Sequence, residues 1–202
     1  MSNICIFGDS ITWGSVDKKE GGWAQRLRKF IDNKTNEYEI FSLGIGGDTS
    51  TNLLKRFEIE SQARNPQIII FAIGTNDSAY IKELDNVVTP INLYEENVKK
   101  LISLARKFTQ TIVLVGLPIV DESKVHPFLD SSTGKCYSND NLKKYSDKLA
   151  GLAMKNKLLF INIFPILSTE DLGDGLHPNE SGHKKIFEQI KNRLIEKRII
   201  TV

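Results

Sequence analysis

The sequence feature that most constrains the fold is an unbroken apolar run, Ile68 to Ile73. Because the run shows no alternation, it predicts a strand that is covered on both faces, as strands inside parallel sheets are. Shorter β-rich runs lie on either side of it, at 4–7, 38–43, 111–117 and 158–163. Helical patterns separate these runs, so the strands are expected to be joined by right-handed crossovers. The pattern predicts a three-layer α/β domain with a five-stranded parallel sheet.

The helices predicted between the strands cover about 22–31, 49–61, 91–107, 139–155 and 178–197. Asp48 or Thr49 can cap the second of them. Residues 119–138 are predicted to be irregular, because the segment is polar and contains proline and glycine. No repeat or linker divides the 202 residues, a length that suits one domain with a substantial core. We therefore predict a single domain over 1–202.

The charge and cysteine content argue against several kinds of partner. Lys and Arg number 27 against 25 Asp and Glu, and both signs are scattered along the chain. We therefore expect neither nucleic acid nor an anionic membrane surface as a partner. No apolar run approaches the length of a bilayer span, and the first residues lack the pattern of a signal peptide. Cys5 and Cys136 lie far apart in the sequence, so we expect free thiols and a cytoplasmic protein.

Reactive side chains follow the predicted strands at their carboxyl ends, where open parallel sheets bind ligands. Ser10 follows the first strand, so its hydroxyl is expected just outside the sheet edge. Taken alone, a serine in this place is more often a helix cap than a nucleophile. His177 follows the last strand and precedes Pro178, which can start a helix. Histidine is the usual general base near neutral pH, and a turn at Gly175 can fold the Asp174 carboxylate back towards the ring.

Two further strand ends carry groups that can bind an anion. The second strand ends in a glycine-rich segment, 44–49, in which Gly47 can offer an unobstructed backbone N–H. This segment does not match a dinucleotide fingerprint, because Thr49 occupies the third marked position and the segment follows the second strand. Asn76 follows the third strand and can direct its side-chain amide into the same crevice, although an Asx turn braced by Asp77 is the commoner arrangement.

The sequence indicates no metal site and no cofactor site. The three histidines, His126, His177 and His183, are not spaced as metal ligands, and neither cysteine belongs to a C-x-x-C pair. Surface or packing roles are expected for His126 and His183.

Taken together and in chain order, the strand-end segments resemble the four sequence blocks of the SGNH hydrolases, also called the GDSL esterase/lipase family. The segments are Gly8-Asp9-Ser10-Ile11, Gly44-Ile45-Gly46-Gly47-Asp48-Thr49, Gly74-Thr75-Asn76-Asp77 and Asp174-Gly175-Leu176-His177-Pro178. The resemblance, to small bacterial members above all, implies a flavodoxin-like sheet of strand order 2-1-3-4-5. It also implies that Ser10 is the nucleophile, that Asp174 and His177 complete a catalytic triad, and that Ser10, Gly47 and Asn76 form the oxyanion hole.

The chemistry expected of such a set is hydrolysis of a carboxylic ester through an acyl-serine intermediate. The expected substrate is a small-molecule ester with a short acyl chain, since the sequence contains no long apolar lid. The same residues would serve a carbohydrate O-deacetylase equally well. A non-catalytic flavodoxin-like binding module is the alternative from a different class of function.

Residues 78–90 and 119–138 are expected to decide between the two kinds of ester. Three polar residues, Asp121, Glu122 and His126, would give the pocket a polar character. Three apolar residues, Phe128, Leu129 and Trp13, would instead line a slot for the acyl chain.

Overall fold

The computed structural model describes the whole chain except the side chains of residues 84 and 85. Its strands are β1 (Ser2–Gly8), β2 (Tyr38–Gly44), β3 (Ile68–Ala72), β4 (Tyr80–Ile81), β5 (Glu83–Val87), β6 (Ile112–Val115), β7 (Lys135–Cys136) and β8 (Leu159–Ile161). Its helices are α1 (Ser10–Trp13), α2 (Gly22–Asp32), α3 (Ser50–Arg64), α4 (Thr75–Ser78), α5 (Ile91–Ala105), α6 (Asn139–Asn156) and α7 (Glu180–Glu196). Two 3₁₀ turns, Phe164–Ile166 and Thr169–Asp171, lie between β8 and α7.

Five of the strands form one parallel sheet in the order β2-β1-β3-β6-β8. Counted along the chain within this sheet, the order is 2-1-3-4-5, which confirms the predicted topology. The five predicted strands and the five predicted helices are all present, with boundaries that differ by a few residues. Thr49 caps α3 by accepting a hydrogen bond from the backbone N–H of Asn52.

The two faces of the sheet bury different sets of side chains. Ile68 and Ile70 of β3 pack on the side of α2 and α7, in a cluster with Trp23. Ile69 and Phe71 point the other way and pack with residues of α3, α5 and α6. Both faces of β3 are therefore covered, which explains why its sequence shows no alternation. This arrangement is the predicted three-layer α/β fold.

The register of the sheet brings the carboxyl ends of its central strands to one level. Gly8, the last residue of β1, pairs with Gly44 at the end of β2 and with Ala72 at the end of β3. Val115 and Ile161, which end β6 and β8, are paired in the same way. The segments that follow these strands therefore begin at the same edge of the sheet, where we expected the site.

A second, antiparallel sheet has the order β5-β4-β7. The sequence does not predict this sheet, and its strand β7 corrects the expectation that all of 119–138 is irregular. β4 and β7 have two residues each, too few for an alternating pattern to be recognised. Cys136 lies in β7; its thiol and that of Cys5 are both buried and free. Among the described residues, no helix combines the length and the apolar composition that crossing a bilayer requires.

Candidate active site

Ser10 is the first residue of α1, directly beyond the end of β1. The Asp9 side chain caps this short helix by accepting a hydrogen bond from the backbone N–H of Ile11 at 3.0 Å. Because Asp9 provides the cap, the Ser10 hydroxyl is available for another contact. It lies 2.9 Å from Nε2 of His177. The helix-cap interpretation of Ser10 is therefore wrong.

His177 and Asp174 form a hydrogen-bonded pair in the segment before α7. Nδ1 of His177 lies 2.7 Å from Oδ2 of Asp174. Oδ1 of Asp174 accepts hydrogen bonds from the backbone N–H groups of His177 and Leu176, at 2.7 and 2.9 Å. The intervening Gly175 has φ +93°, and a Cβ there would lie 2.6 Å from the Cβ of Lys124. Glycine therefore lets the turn fold the carboxylate back onto the ring, as the sequence predicts.

The hydrogen bonds to Asp174 favour its ionised form and determine the tautomer of the His177 ring. Burial alone would raise the pKa of Asp174, but the hydrogen bonds from the ring and the backbone of His177 outweigh it and hold that pKa below 3.8. An ionised carboxylate only accepts hydrogen bonds, so Nδ1 of His177 carries a proton, and in the neutral imidazole Nε2 is an acceptor. The Ser10 hydroxyl therefore donates to Nε2. Such a chain can pass a proton from a serine to an imidazole.

Gly47 and Asn76 line the same cavity as Ser10 and His177. Nδ2 of Asn76 donates to the backbone oxygen of Asp48 at 3.1 Å, so the side chain does not form an Asx turn. One N–H of that amide is thereby used and the other remains. Within the described part of the chain, the backbone N–H of Gly47 has no hydrogen-bond acceptor. The backbone N–H of Ser10 lies in the first turn of α1, where a helix provides no internal acceptor.

Buried polar contacts hold the loops of the site together. The Asp77 carboxylate accepts hydrogen bonds from the backbone N–H and the hydroxyl of Ser50, at 2.9 and 2.5 Å, and so braces the start of α3. Burial raises the pKa of Asp77, and the bonds from Ser50 oppose that effect. Arg56 donates to the Asp48 carboxylate at 2.8 Å and to the backbone oxygen of Gly8 at 3.1 Å. The segments after β1, β2 and β3 are thus fixed relative to one another.

Asp9 is a buried acid beside the nucleophile. Burial raises its pKa to about 6, and the nearby carboxylates Asp77 and Asp48 add to the effect, whereas the Ile11 N–H and His177 oppose it. Asp9 contributes the helix cap described above, and its charge is disfavoured by its surroundings.

The cavity at Ser10 has a volume of about 340 Å³. One wall is formed by the segment from Phe128 to Tyr137, which includes the hydroxyl side chains of Ser131, Ser132 and Thr133. The Phe128 ring meets the His177 ring edge-on, with the centroids 5.8 Å apart. This wall belongs to the segment 119–138, which was expected to help decide between the two kinds of ester.

The other residues considered for the cavity lie elsewhere. Leu129 and Trp13 are 89% and 65% exposed, and neither lines the cavity. Asp121 pairs with Lys124, and Glu122 accepts a hydrogen bond from the backbone of Asn139. The remaining candidates, His126 and the described residues of 78–90, are also absent from the cavity wall.

Two residues that contact Asn76 lie in the predicted segment 119–138, but the sequence assigns neither of them a role. Nζ of Lys135 donates a hydrogen bond to Oδ1 of Asn76 at 3.1 Å, and the hydroxyl of Tyr137 donates to the same oxygen at 3.2 Å. Both lie at β7, whose pairing with β4 brings them to the sheet edge. A sequence pattern that does not predict β7 gives no signal for either residue.

His183 has the packing role expected of it. Its ring is fully buried, accepts a hydrogen bond from the backbone N–H of Trp23 at 3.3 Å and donates one to the backbone oxygen of Ser15 at 3.2 Å. Burial lowers its pKa to about 4, so the ring is neutral at neutral pH. Among the described residues, no three His, Cys, Asp or Glu side chains are grouped as metal ligands.

Comparison with known proteins identifies the family. A family model described as GDSL-like Lipase/Acylhydrolase matches residues 6–185, which include all four sequence blocks. The chain belongs to this family. As a GDSL-like acylhydrolase it is a carboxylic ester hydrolase, which sets aside the non-catalytic binding module.

Several known proteins are similar to this GDSL-like acylhydrolase over most of its length. A GDSL esterase/lipase of Arabidopsis thaliana is 26% identical over 97% of this chain and 87% of its own length. The isoamyl acetate-hydrolyzing esterase of Saccharomyces cerevisiae is 26% identical over 92% and 82%. Among solved structures, the lipase/acylhydrolase from Enterococcus faecalis has a TM-score of 0.78 at 21% identity, covering 98% of this chain and 97% of that one. At that level of identity the last similarity concerns the fold alone.

Proposed function

We propose that the chain hydrolyses carboxylic esters of short acyl chains through an acyl-serine intermediate, with Ser10 as nucleophile, His177 as general base and Asp174 as its orienting carboxylate. The observation that carries the proposal is the continuous hydrogen-bonded chain from Ser10 Oγ through the imidazole to Asp174, with contacts of 2.9 and 2.7 Å. We also propose that residues 1–202 act as one domain, since α7 near the end of the chain packs against α2 near its start.

The proposed reaction has two halves. As Ser10 Oγ attacks the ester carbonyl, Nε2 of His177 takes its proton, and the charged imidazole is stabilised by Asp174. The tetrahedral intermediate collapses, and His177 returns the proton to the departing alcohol. Water then attacks the acyl-serine and gives a proton to His177. The carboxylic acid leaves, and Ser10 recovers its proton.

Three donors would stabilise the negative oxygen of the tetrahedral intermediate. They are the backbone N–H groups of Ser10 and Gly47 and the remaining side-chain N–H of Asn76. The proposal is supported by the position of all three on one cavity and by the lack of a competing acceptor for Gly47 among the described residues. Fixed donors of this kind act on the transition state without reorganising.

A carbohydrate O-deacetylase remains a second candidate, favoured by the hydroxyl side chains Ser131, Ser132 and Thr133 on the cavity wall. The acyl side of the site would be the same, since both candidates transfer a small acyl group. The yeast relative is named for hydrolysing isoamyl acetate, an acetyl ester, and an acetyl group is an acyl group that both candidates would accept.

The test of the proposed chemistry is hydrolysis of p-nitrophenyl acetate by the wild type and by Ser10→Ala. We expect the variant to lose activity by at least about a thousandfold, because no other hydroxyl is bonded to His177 in the described structure. Ser103→Ala makes the same chemical change at an exposed position of α5 and should leave kcat unchanged. Wild-type rates from Ser10→Ala would reject the proposal.

The alcohol specificity requires a second assay. Alkyl esters of increasing acyl length and acetylated monosaccharides and oligosaccharides would be compared by kcat/KM. A preference for acetylated sugars over ethyl acetate by more than about tenfold would favour the deacetylase, since that ratio corresponds to about 1.4 kcal/mol of transition-state binding.

A further inference from the structure

We infer that Lys135 is a positioning residue for the oxyanion hole, where its ammonium group orients and polarises the side-chain amide of Asn76. The inference rests on the proposed function, because it gives Lys135 a part in the same reaction. It does not follow from the family's sequence blocks, since Lys135 lies outside all four of them.

The hydrogen bonds around Asn76 determine which way its amide faces. Oδ1 accepts from Nζ of Lys135 at 3.1 Å and from the hydroxyl of Tyr137 at 3.2 Å. An ammonium group only donates hydrogen bonds, so the NH₂ of the amide cannot take the place of Oδ1. Nδ2 is thereby directed to the backbone oxygen of Asp48 and to the cavity shared with Ser10. Lys135 thus stabilises, together with the Asp48 carbonyl and the Tyr137 hydroxyl, the amide orientation that an oxyanion hole requires.

The charge of Lys135 adds a second effect. Burial lowers the pKa of Lys135 below 10.5, whereas Asp77 and Asp9 favour the charged form. Lys135 takes part in none of the ion pairs formed within the described part of the chain, so a neighbouring carboxylate does not neutralise its charge locally. A cation bonded to Oδ1 draws electron density from the amide and makes its N–H groups stronger donors. It also favours negative charge on an oxygen bound to those groups.

The first experiment compares two variants of Lys135 in p-nitrophenyl acetate hydrolysis. Lys135→Met keeps the length of the side chain and removes both the charge and the donor. We expect it to lower kcat by about tenfold to a hundredfold, less than the hundredfold to thousandfold typical of losing an oxyanion donor, while KM changes by less than about threefold. Lys135→Arg keeps the charge and the donor and should recover most of the lost kcat. Lys34→Met, at an exposed position remote from the cavity wall, is the control.

The second experiment asks whether Lys135 acts through Asn76. In an Asn76→Ala background, Lys135→Met should cause less than about a threefold further loss of kcat, because the group through which Lys135 acts is already gone. Tyr137→Phe, which removes the other donor to Oδ1, should give a smaller loss than Lys135→Met in the wild-type background, since no charge is lost. Circular dichroism and a thermal unfolding scan establish that each variant is folded.

The inference is overturned if Lys135→Met retains wild-type kcat, or if its effect lies in KM alone. It is also overturned if Lys135→Arg is as slow as Lys135→Met, or if the loss is fully retained in the Asn76→Ala background. Each of these results with an inactive Ser10→Ala would reject the role of Lys135 and leave the proposed function standing. An active Ser10→Ala would reject the proposed function itself.

Discussion

Replacing Asp174 with asparagine changes the proposed proton relay with little change in volume. In the wild type, Oδ2 of Asp174 accepts the hydrogen bond from Nδ1 of His177 at 2.7 Å. In Asp174→Asn, Oδ1 can keep its bonds to the backbone N–H groups of Leu176 and His177, so the NH₂ group faces the ring. Two donors then oppose each other. The ring relieves this conflict by carrying its proton on Nε2 instead of Nδ1. Nε2 can then no longer accept the proton of Ser10.

The size of the effect follows from the charge and the tautomer. A unit charge about 4 Å from the imidazolium stabilises it by about 1 kcal/mol in water and about 4 kcal/mol near a protein surface. The side chains of His177 and Asp174 are only 13% and 25% exposed, so the value for this pair lies close to the larger of these two figures. A loss of 4 kcal/mol corresponds to about a thousandfold in rate. The wrong tautomer raises the expected loss of kcat to about a thousandfold to ten-thousandfold.

The assay is steady-state hydrolysis of p-nitrophenyl acetate by Asp174→Asn, with the control Asp171→Asn. Asp171 lies three residues earlier and binds Lys185 at 2.7 Å together with Ser168 and Ser181, and none of its hydrogen bonds in the described structure involves His177. We expect Asp171→Asn to unfold at a lower temperature and to retain kcat within about threefold. If Asp174→Asn keeps kcat within about tenfold of the wild type, or if Asp171→Asn shows the larger loss, the assignment of the orienting carboxylate is refuted.

Three further predictions address the side chain of Asn76, the close packing around Gly44 and the buried His183. Asn76→Ala should lower kcat by about a hundredfold to a thousandfold, and wild-type kcat would contradict its role. Because the substitution also removes three hydrogen bonds of a buried side chain, the variant should unfold at a lower temperature than the wild type. Gly44→Ala should lower the free energy of unfolding by about 1–3 kcal/mol in urea denaturation, because the new Cβ would lie 2.4 Å from the backbone N of Trp13. Gly46→Ala meets nothing within 4 Å and should be neutral, so equal effects of the two would refute the steric account. The pKa of His183 is about 4 in the folded chain, while the unfolded ring takes up a proton near 6.5. The free energy of unfolding, measured relative to His183→Asn, should therefore fall by up to about 3 kcal/mol as the pH is lowered from 6.5 to 4, and a difference independent of pH would contradict this.

The sequence predicted the parallel sheet well because each of its strands carries its own signal. The run at 68–73 has no alternation since Ile68 and Ile70 pack on one face and Ile69 and Phe71 on the other. The sequence also predicted that the proposed catalytic residues lie close together, for a related reason. Parallel strands of matched register end together, so residues that follow different strands meet at one edge. Ser10 and His177 lie 167 positions apart in the chain and still meet at 2.9 Å.

The part of the site that the sequence did not predict depends on pairing between distant short segments. Tyr80 pairs with Cys136, and that contact brings Lys135 to Asn76. A two-residue strand has no period, and a lysine followed by a cysteine and a tyrosine carries no motif. The same limit explains why Phe128 was assigned to the cavity together with Leu129, although only Phe128 lines it. Neighbours in an irregular segment point in different directions, and composition does not say which.

The two sheets therefore make different contributions to the cavity. The edge of the parallel sheet carries Ser10, Gly47 and Asn76, and the Asp77–Ser50 and Arg56–Asp48 contacts hold its loops in place. The wall that includes Ser131 and Thr133 comes from the segment around β7. Phe128 is the wall residue that packs against the His177 ring. Most changes elsewhere in that wall should alter the choice of ester without altering the chemistry, because those residues take no part in the hydrogen bonds that join Ser10, His177 and Asp174. Lys135 and Tyr137 are the exceptions, since they bond to a side chain of the parallel-sheet edge. A change at β7 can therefore affect kcat through Asn76, whereas a change at Ser131 or Thr133 should appear in KM.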